Sequence, residues 1–279
     1  MNWFNALIAG VIQGLTEFLP VSSSGHLVIY GELFGKGDGG HLAFTVFLHF
    51  ATLLSVLIVF YKDVWMLITE FFSALSDIIK GKPNFKTPER RFLLMVIIAT
   101  IPAVVAGLLI KMTGLDEMLE NIFVVAVMLI VTAILMFCVD RMNNGKYTGA
   151  NAPFKASWIV GGLQAIAILP GLSRSGSTIF GGLLGGLKKE FAVRFAFILS
   201  IPTILGAGLV ELAGVIKGGD LGATPIGMLL GFIAALVCGI VSIRFIKVLI
   251  KNNKFYIFGI YCLLASVFAF LVGSGVIRF

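Results

Sequence analysis

Apolar residues run through this chain in long blocks rather than in alternating or amphipathic patterns. Six blocks are long enough to cross a bilayer as helices, over roughly 42–61, 92–111, 121–139, 191–216, 225–246 and 255–277, since a crossing takes about 20 helical residues. Two further apolar regions, 3–34 and 157–187, are each interrupted in the middle by polar residues. Each half of those regions, at about 13 to 17 residues, is too short to span alone. Interrupted segments at corresponding places in two halves of a chain are the pattern of re-entrant helices meeting at a site. The pattern predicts an all-α polytopic membrane protein with about six transmembrane helices plus two re-entrant helix pairs in an inverted-topology repeat. A single integral membrane domain would cover 1–279. Its first repeat would take about 1–111 with re-entrant 3–34, a linking span about 121–139, and its second repeat about 157–277 with re-entrant 157–187.

The two polar interruptions are versions of each other. The first runs Gln13-Gly-Leu-Thr-Glu-Phe-Leu-Pro-Val-Ser-Ser-Ser-Gly-His26 and the second Gln164-Ala-Ile-Ala-Ile-Leu-Pro-Gly-Leu-Ser-Arg-Ser-Gly-Ser177. Gln13 and Gln164 are 151 positions apart, as are Ser22-Ser-Ser-Gly25 and Ser173-Arg-Ser-Gly176, while Pro20 and Pro170 are offset by 150. A weaker echo, Phe44-x-Val46-x-x-x-Phe50 against Phe191-x-Val193-x-x-x-Phe197, supports duplication.

Composition agrees with the membrane class: 58% of the 279 residues are hydrophobic and 13% charged, against about 25% charged in an ordinary soluble domain. The net charge of +7 does not point to nucleic acid, because Lys and Arg cluster between apolar blocks instead of along one face. Loop 62–91 carries six of them, loop 140–156 three, the 188–189 turn two and loop 247–254 three. The opposite side has Lys36, Lys111, Lys217 and Arg278. By the positive-inside rule the first set is cytoplasmic, so both termini lie outside. Three full spans separate the tracts, an odd number, so the first enters from outside and the second from the cytoplasm. Cys138, Cys238 and Cys262 sit in apolar runs without paired spacing and read as small buried hydrophobes. The N-terminus lacks a basic region and cleavage site and is expected to belong to the mature fold.

The tracts carry the candidate chemistry. Gln13 and Glu17, four apart, share a helix face. Pro20 ends that helix, Ser22, Ser23 and Ser24 offer capping hydroxyls to the next, and His26 falls in its first turn. In the second tract Pro170-Gly171 breaks the chain, Ser173, Ser175, Ser177 and Thr178 offer hydroxyls, and Arg174 adds a fixed charge that recognises phosphate with two parallel bonds. Helix starts attract anions. Together these groups form the inventory for phosphoryl transfer: anion cradle, base, nucleophile and transition-state clamp. A charge at mid-membrane costs about 2.5–3.5 kcal/mol on insertion scales, which packing alone does not require.

Gln13-x-x-x-Glu17 with Ser23 and His26, and Pro170-Gly-Leu-Ser-Arg-Ser-Gly-Ser-Thr178, resemble the signatures (E/Q)-x-x-x-E and P-G-x-S-R-S-x-x-T of the undecaprenyl-diphosphate phosphatases. These form the bacitracin-resistance family of bacterial membranes, and the resemblance covers the whole chain. It implies hydrolysis of undecaprenyl diphosphate to undecaprenyl phosphate and inorganic phosphate, recycling the lipid carrier of cell-wall synthesis. It also implies a multi-pass protein of the bacterial cell membrane whose site opens to the outer side. Glu17, Ser23, His26 and Arg174 would be catalytic, with Glu17 and His26 deprotonating Ser23 or a water. Gln13, Ser22, Ser24, Ser173, Ser175, Ser177 and Thr178 would bind substrate. A divalent cation, Mg2+ or Ca2+, is associated with the family, and Glu17 with Gln13 would hold it; with Gln13 in the first position, two carboxylates are not available.

Several alternatives stand beside this. Ser22 or Ser24 could replace Ser23, or an activated water could attack and leave all three serines as phosphate ligands. Transport is a second class, a polyprenyl-phosphate flippase or an ion-coupled carrier using the same inverted-repeat site. A third is the acid-phosphatase superfamily, which needs a histidine six residues after the arginine of its Ser-Arg; here Phe180 stands there. Gln164 reads as satisfying buried backbone in the matching helix, and His49, inside a full span, reads as part of that span, with a place facing the cavity as the alternative. His41, Glu32 and Glu211 fall at outer boundaries and read as solvated. Arg194, Arg244 and Lys247 sit near cytoplasmic ends, where long side chains snorkel. The expected partner is the polyprenyl diphosphate lipid, with no nucleic acid; a homodimer stays open as the assembly.

Overall fold

The computed structural model describes residues 1–34, 41–82, 84, 87–114, 121–218, 222–251 and 253–277, and the side chains of all of these except 41–43, 211–218 and 251. Lys36 and Arg278 lie outside the described residues, as do the side chains of His41, Glu211 and Lys217. The described residues form eleven helices: α1 (Trp3–Phe18), α2 (Ser23–Phe34), α3 (His41–Val59), α4 (Tyr61–Ile79), α5 (Pro88–Thr113), α6 (Ile122–Arg141), α7 (Phe154–Ile166), α8 (Arg174–Leu184), α9 (Lys189–Gly218), α10 (Pro225–Lys251) and α11 (Tyr256–Gly273). The expected all-helical membrane fold is what forms. Helices α5, α6, α9, α10 and α11 are each long and apolar enough to cross a bilayer, and α3 adds a sixth when it is taken with α4, from which it is bent by 90°. The interrupted regions become the short pairs α1/α2 and α7/α8, of 16 and 12 and of 13 and 11 residues.

Two expectations are corrected. Of the three cysteines expected to be buried only Cys262 is, Cys138 being exposed and Cys238 half-buried. The other concerns the chain before α5. Loop 62–91 is in large part helix, because α4 occupies Tyr61–Ile79. Apolar residues recur there at helical spacing, Tyr61, Trp65, Ile68, Phe72, Leu75 and Ile79, with Lys62, Asp63, Glu70, Ser73 and Asp77 between them. The polar side is anchored by Arg90, buried in the first turn of α5. Its guanidinium donates to Glu70 (3.1 Å), Asp77 (2.6 Å), the Ser73 hydroxyl (2.9 Å) and the Asn84 carbonyl (2.8 Å).

Hydrogen bonds between connections define the two ends of the bundle. At one end the Met1 amino group donates to the Gly222 carbonyl, 2.9 Å, and Thr224 N–H to that of Met1. At the other, Arg91 donates to the Ala152 carbonyl, Lys188 N–H to that of Tyr147, Lys189 Nζ to Asn253, and Phe255 N–H to Asp140. The four Lys/Arg-rich connections therefore gather at one end. Helix α1 starts from the Met1 end and α7 from the basic end, so the two broken pairs enter from opposite sides.

Small residues form the seams that hold these short helices. A Cβ on Gly10 would lie 2.3 Å from the Gly231 carbonyl oxygen of α10. At the position 151 residues on, a Cβ on Gly161 would lie 2.7 Å from the Ala99 carbonyl oxygen of α5. Close backbone approach of this kind replaces the hydrophobic drive that lipid removes. Helix α1 thus packs on the second half of the chain and α7 on the first, an exchange of partners that interlocks the two halves.

Gly10→Ala is expected to destabilise the protein by about 1–3 kcal/mol, the usual cost of overpacking, because backbone cannot rotate out of the way. Thermal unfolding in detergent micelles checks this, with Gly162→Ala as control, since its Cβ would meet nothing within 4 Å. Equal midpoints for the two variants would contradict the seam.

Candidate active site

The first break follows from Pro20, which disfavours helical geometry at the residue before it; Leu19 leaves α1 extended, with φ −69° and ψ 141°. Val21 N–H then bonds back to the Leu19 carbonyl at 2.8 Å, and Ser22 takes φ 70°, left-handed backbone in a residue other than glycine. Such strain persists only where surrounding structure over-determines it. Here the Ser22 hydroxyl accepts from Gly25 N–H at 3.3 Å, capping α2, and its carbonyl accepts from His26 N–H.

The second break is a turn over Leu169–Pro170–Gly171–Leu172, closed by Leu172 N–H to the Leu169 carbonyl at 3.1 Å. Pro in its second position and Gly171 at φ 91° in its third suit a type II turn. No other residue fits at 171, because a Cβ there would stand 2.4 Å from the Val125 carbonyl oxygen of α6. Thr132 of α6 pins the turn from the same side: its hydroxyl donates to the Gly171 carbonyl and accepts from Ser173 N–H, both at 3.0 Å. The Ser173 hydroxyl caps α8 by accepting from Gly176 N–H, 3.1 Å.

The two breaks meet. Ser175 Oγ donates to the Leu19 carbonyl at 3.2 Å, and Gly25 packs against Gly171. At this junction Glu17, buried at the end of α1, collects four groups. One carboxylate oxygen takes a hydrogen bond from Arg174 of α8. The other accepts from Ser23 Oγ at 2.6 Å and from Gln13 Nε2 at 2.9 Å, with His49 Nε2 4.0 Å away. Arg174 also donates to the Thr203 hydroxyl of α9 at 3.3 Å. A carboxylate, a hydroxyl resting on it and a half-exposed guanidinium are thus side by side at the starts of two helices, where free amides favour negative charge.

Not every expected residue converges here. The His26 ring has Nδ1 2.7 Å from the Ser22 carbonyl, so Nδ1 carries the proton and Nε2, in the neutral ring, accepts from Tyr261 Oη at 2.7 Å. Its bonds go to its own helix start and to α11, with no hydrogen bond or ion pair to Glu17 or Ser23 among the described residues. Ser24 is exposed, its Oγ 3.3 Å from that of Ser22. Thr178 turns its hydroxyl back onto the Arg174 and Ser175 carbonyls, and the buried Ser177 hydroxyl has no partner among the described residues. Gln164 donates to the Ala99 carbonyl of α5 at 3.4 Å, so the backbone it serves belongs to a neighbouring helix.

Sequence reasoning set His49 aside and missed Thr203. His49 stands beside Glu17, with Nδ1 2.9 Å from the Thr45 carbonyl and Nε2 facing the carboxylate. Thr203 steadies Arg174 and lies 151 positions after Thr52, in the register of the tracts. A histidine in an apolar span was the signal for the first; the repeat offset was the signal for the second. The described cavities lie elsewhere: one of about 800 Å³ is lined by Asp140, Lys188, Lys189 and Asn253 at the basic end, and one of about 650 Å³ adjoins it near Asp63 and Lys247.

Residues 6–268, including both tracts, match the family described as Bacitracin resistance protein BacA. The chain belongs to this family. It is 41% identical over 274 residues to an undecaprenyl-diphosphatase of Methanobrevibacter smithii, covering 97% of this chain and 98% of that one. It is 37% identical over 277 residues to an undecaprenyl-diphosphatase of Methanosphaera stadtmanae, covering 98% of each, and 38% identical over 281 residues to one of Alkaliphilus metalliredigens, covering 100% and 99%. The BacA match extends from within α1 to within α11, so the family relationship concerns the whole interlocked bundle and not the tracts alone.

The donor set beside Glu17 suits a hard cation only in part. Gln13 Oε1 is buried with no partner among the described residues, an oxygen left over next to the carboxylate. Both Glu17 oxygens already have donors, and no group of three His, Cys, Asp or Glu side chains stands together among the described residues. One or two carboxylates, substrate phosphate and several retained waters is a usual arrangement for Mg2+, and here, among the described residues, Glu17 is the one carboxylate at hand.

Thr132→Val keeps the shape of the buried side chain but strands the Gly171 carbonyl and Ser173 N–H. A loss of about 1–3 kcal/mol per stranded group is expected, read as a lower unfolding midpoint. Loss confined to activity, with an unchanged midpoint, would contradict the structural role.

Proposed function

We propose that this chain is an undecaprenyl-diphosphatase: it hydrolyses undecaprenyl diphosphate to undecaprenyl phosphate and inorganic phosphate, recycling the lipid carrier for cell-wall synthesis, the activity that underlies bacitracin resistance. The observation that carries the proposal is Ser23 Oγ, 2.6 Å from Glu17, on a carboxylate that is itself paired to Arg174. A serine hydroxyl bound to a buried carboxylate is an activated nucleophile. An arginine at a helix start is a receptor for a phosphoryl group.

The diphosphate enters between the starts of α2 and α8 and draws the Arg174 guanidinium from Glu17 onto its own oxygens. This exchange leaves Glu17 with an unpaired charge and raises its appetite for the Ser23 proton. Ser23 Oγ attacks the terminal phosphorus, its proton passes to Glu17, and the bond from that phosphorus to the bridging oxygen breaks, its electron pair leaving with undecaprenyl phosphate. Glu17 hands the proton to the departing phosphate or, through His49, to water. A water then attacks the phosphoserine, giving a proton to Glu17 that returns to Ser23 Oγ as phosphate leaves. Arg174 and the amides of both helix starts bear the charge that develops on phosphorus oxygens. Gln13 and Thr203 orient Glu17 and Arg174, and the Ser22, Ser24, Ser173 and Ser175 hydroxyls line the cradle. His26, on Tyr261, acts at the edge of the site. A divalent cation would be held by Glu17 and Gln13 Oε1 together with the diphosphate, and would supply neutralising charge.

The basic end faces the cytoplasm in this proposal, and the site opens to the outer side, with the Met1 end outside. It is supported by the gathering of the Lys/Arg-rich connections at one end.

Arg174→Ala is expected to lower phosphate release from undecaprenyl diphosphate by about 100- to 1,000-fold, the cost of losing an oxyanion donor. Arg174→Lys should recover only part of this, because the paired fork is lost. Turnover of Arg174→Ala within a few-fold of wild type would end the assignment. Quenching a turnover with terminally labelled substrate should leave label on Ser23, and Ser23→Ala should carry none and turn over at background. A Ser23→Ala variant with near-normal turnover would mean that water attacks directly.

A further inference from the structure

Helix α4 has no part in the site, yet beyond its 90° bend from α3 it presents a long apolar face that none of the described residues covers. Tyr61, Trp65, Ile68, Phe72, Leu75 and Ile79 are all exposed, from 44% to 77%, on one side of it. The other side is fully committed: Glu70, Ser73 and Asp77 to Arg90, and Asp63 to Arg194 of α9. The helix is therefore fixed in rotation, with its apolar stripe outward.

Its direction is fixed as well. It turns 90° from α3, which packs along α9 and α10, two helices of spanning length. A helix perpendicular to the spans runs in the plane of the membrane. It lies at the basic end, where Phe60, at its start, carries the Lys247 ammonium 4.1 Å over its ring. Lys62 at its first turn and Lys80 and Lys82 just past its end are exposed, and none has a carboxylate partner among the described residues. Among the described residues nothing in the second half of the chain corresponds to it, since α9 is followed by α10 without an intervening helix.

We propose that α4 is an interfacial helix that seats in the headgroup region of one leaflet and binds anionic phospholipid there. An in-plane amphipathic helix with aromatic residues on one side and lysines at its flanks has the chemistry of that occupant. A second copy of the chain fits less well, because the stripe is broad and aromatic and the flanking charges would repel their like. Through Arg90 the anionic leaflet holds the start of α5, the helix against which α7 of the second tract packs.

The test uses the full chain with Trp3→Phe and Trp158→Phe, which leaves Trp65 as the sole tryptophan; both replaced side chains are exposed. The protein is reconstituted into vesicles of phosphatidylcholine and phosphatidylglycerol in which one lipid at a time is brominated. Trp65 emission should be blue-shifted and quenched more by lipid brominated high on the acyl chain than near its methyl end. Brominated phosphatidylglycerol should quench about twofold or more beyond brominated phosphatidylcholine at equal mole fraction, the enrichment expected for a few surface lysines. That preference should fall to parity in Lys62→Gln/Lys80→Gln/Lys82→Gln, and in high salt, which screens exposed charge. Three outcomes overturn the proposal: emission of a water-exposed indole, blue-shifted emission that no brominated lipid quenches (a protein partner or second copy covers the face), or equal quenching by the two lipids in the parent chain. Because the readout is fluorescence, failure here is separate from failure of the phosphatase assignment.

Discussion

An ionised carboxylate and a guanidinium held together within the bilayer region are the constraint around which this protein is built. Either charge alone would cost about 2.5–3.5 kcal/mol at mid-membrane on insertion scales. Glu17 comes from the first tract and Arg174 from the second, so neither half can settle without the other. Removing one partner of such a pair leaves an uncompensated buried charge, which is far worse than never having the pair. The same logic gives the proposed site its selectivity. Only a ligand that brings its own negative charge can take Arg174 from Glu17 without stranding it, and in the proposed mechanism a diphosphate does so while exposing the base for Ser23.

The rest of the bundle supports this contact. Two helix breaks must be brought tip to tip, and each is held by a long helix beside it. Thr132 of α6 bridges the Gly171 carbonyl and Ser173 amide, and Cys262 of α11 stands 3.7 Å from the Pro20 carbonyl. Irregular backbone at membrane depth survives only when protein satisfies its polar groups, and these contacts supply that. The glycine seams at Gly10 and Gly161 then hold each short helix against the opposite half. With α1 on α10 and α7 on α5, the tracts face each other without either repeat being a free-standing unit.

The asymmetry between the halves is chemical. Ser23 and Arg174 occupy equivalent places in the two tracts, as do His26 and Ser177. Duplication thus provided two similar helix starts, and divergence placed Ser23 and Glu17, the proposed nucleophile and base, on one and Arg174, the proposed anion clamp, on the other. Helix α4 breaks the symmetry again, at the level of the membrane surface.

What the chain determines by itself is whatever depends on local physics. Apolar run length determined the spans, proline and glycine the breaks, serines the caps, and the 151-residue offset the pairing of the tracts. The motifs carried the family, and Glu17, Ser23 and Arg174 were legible as a group because a charge in an apolar run needs a reason. The amphipathic spacing of α4 was also present, but the lysines around it made the segment look like loop. Tertiary structure alone decided which of the polar residues share a space. His26 is in the tract yet bonds Ser22 and Tyr261, while His49, from a different helix, stands beside Glu17. Sequence proximity says which residues leave the same turn of helix; which faces meet across α1, α3 and α8 depends on how the seams rotate those helices, and no local pattern encodes that rotation.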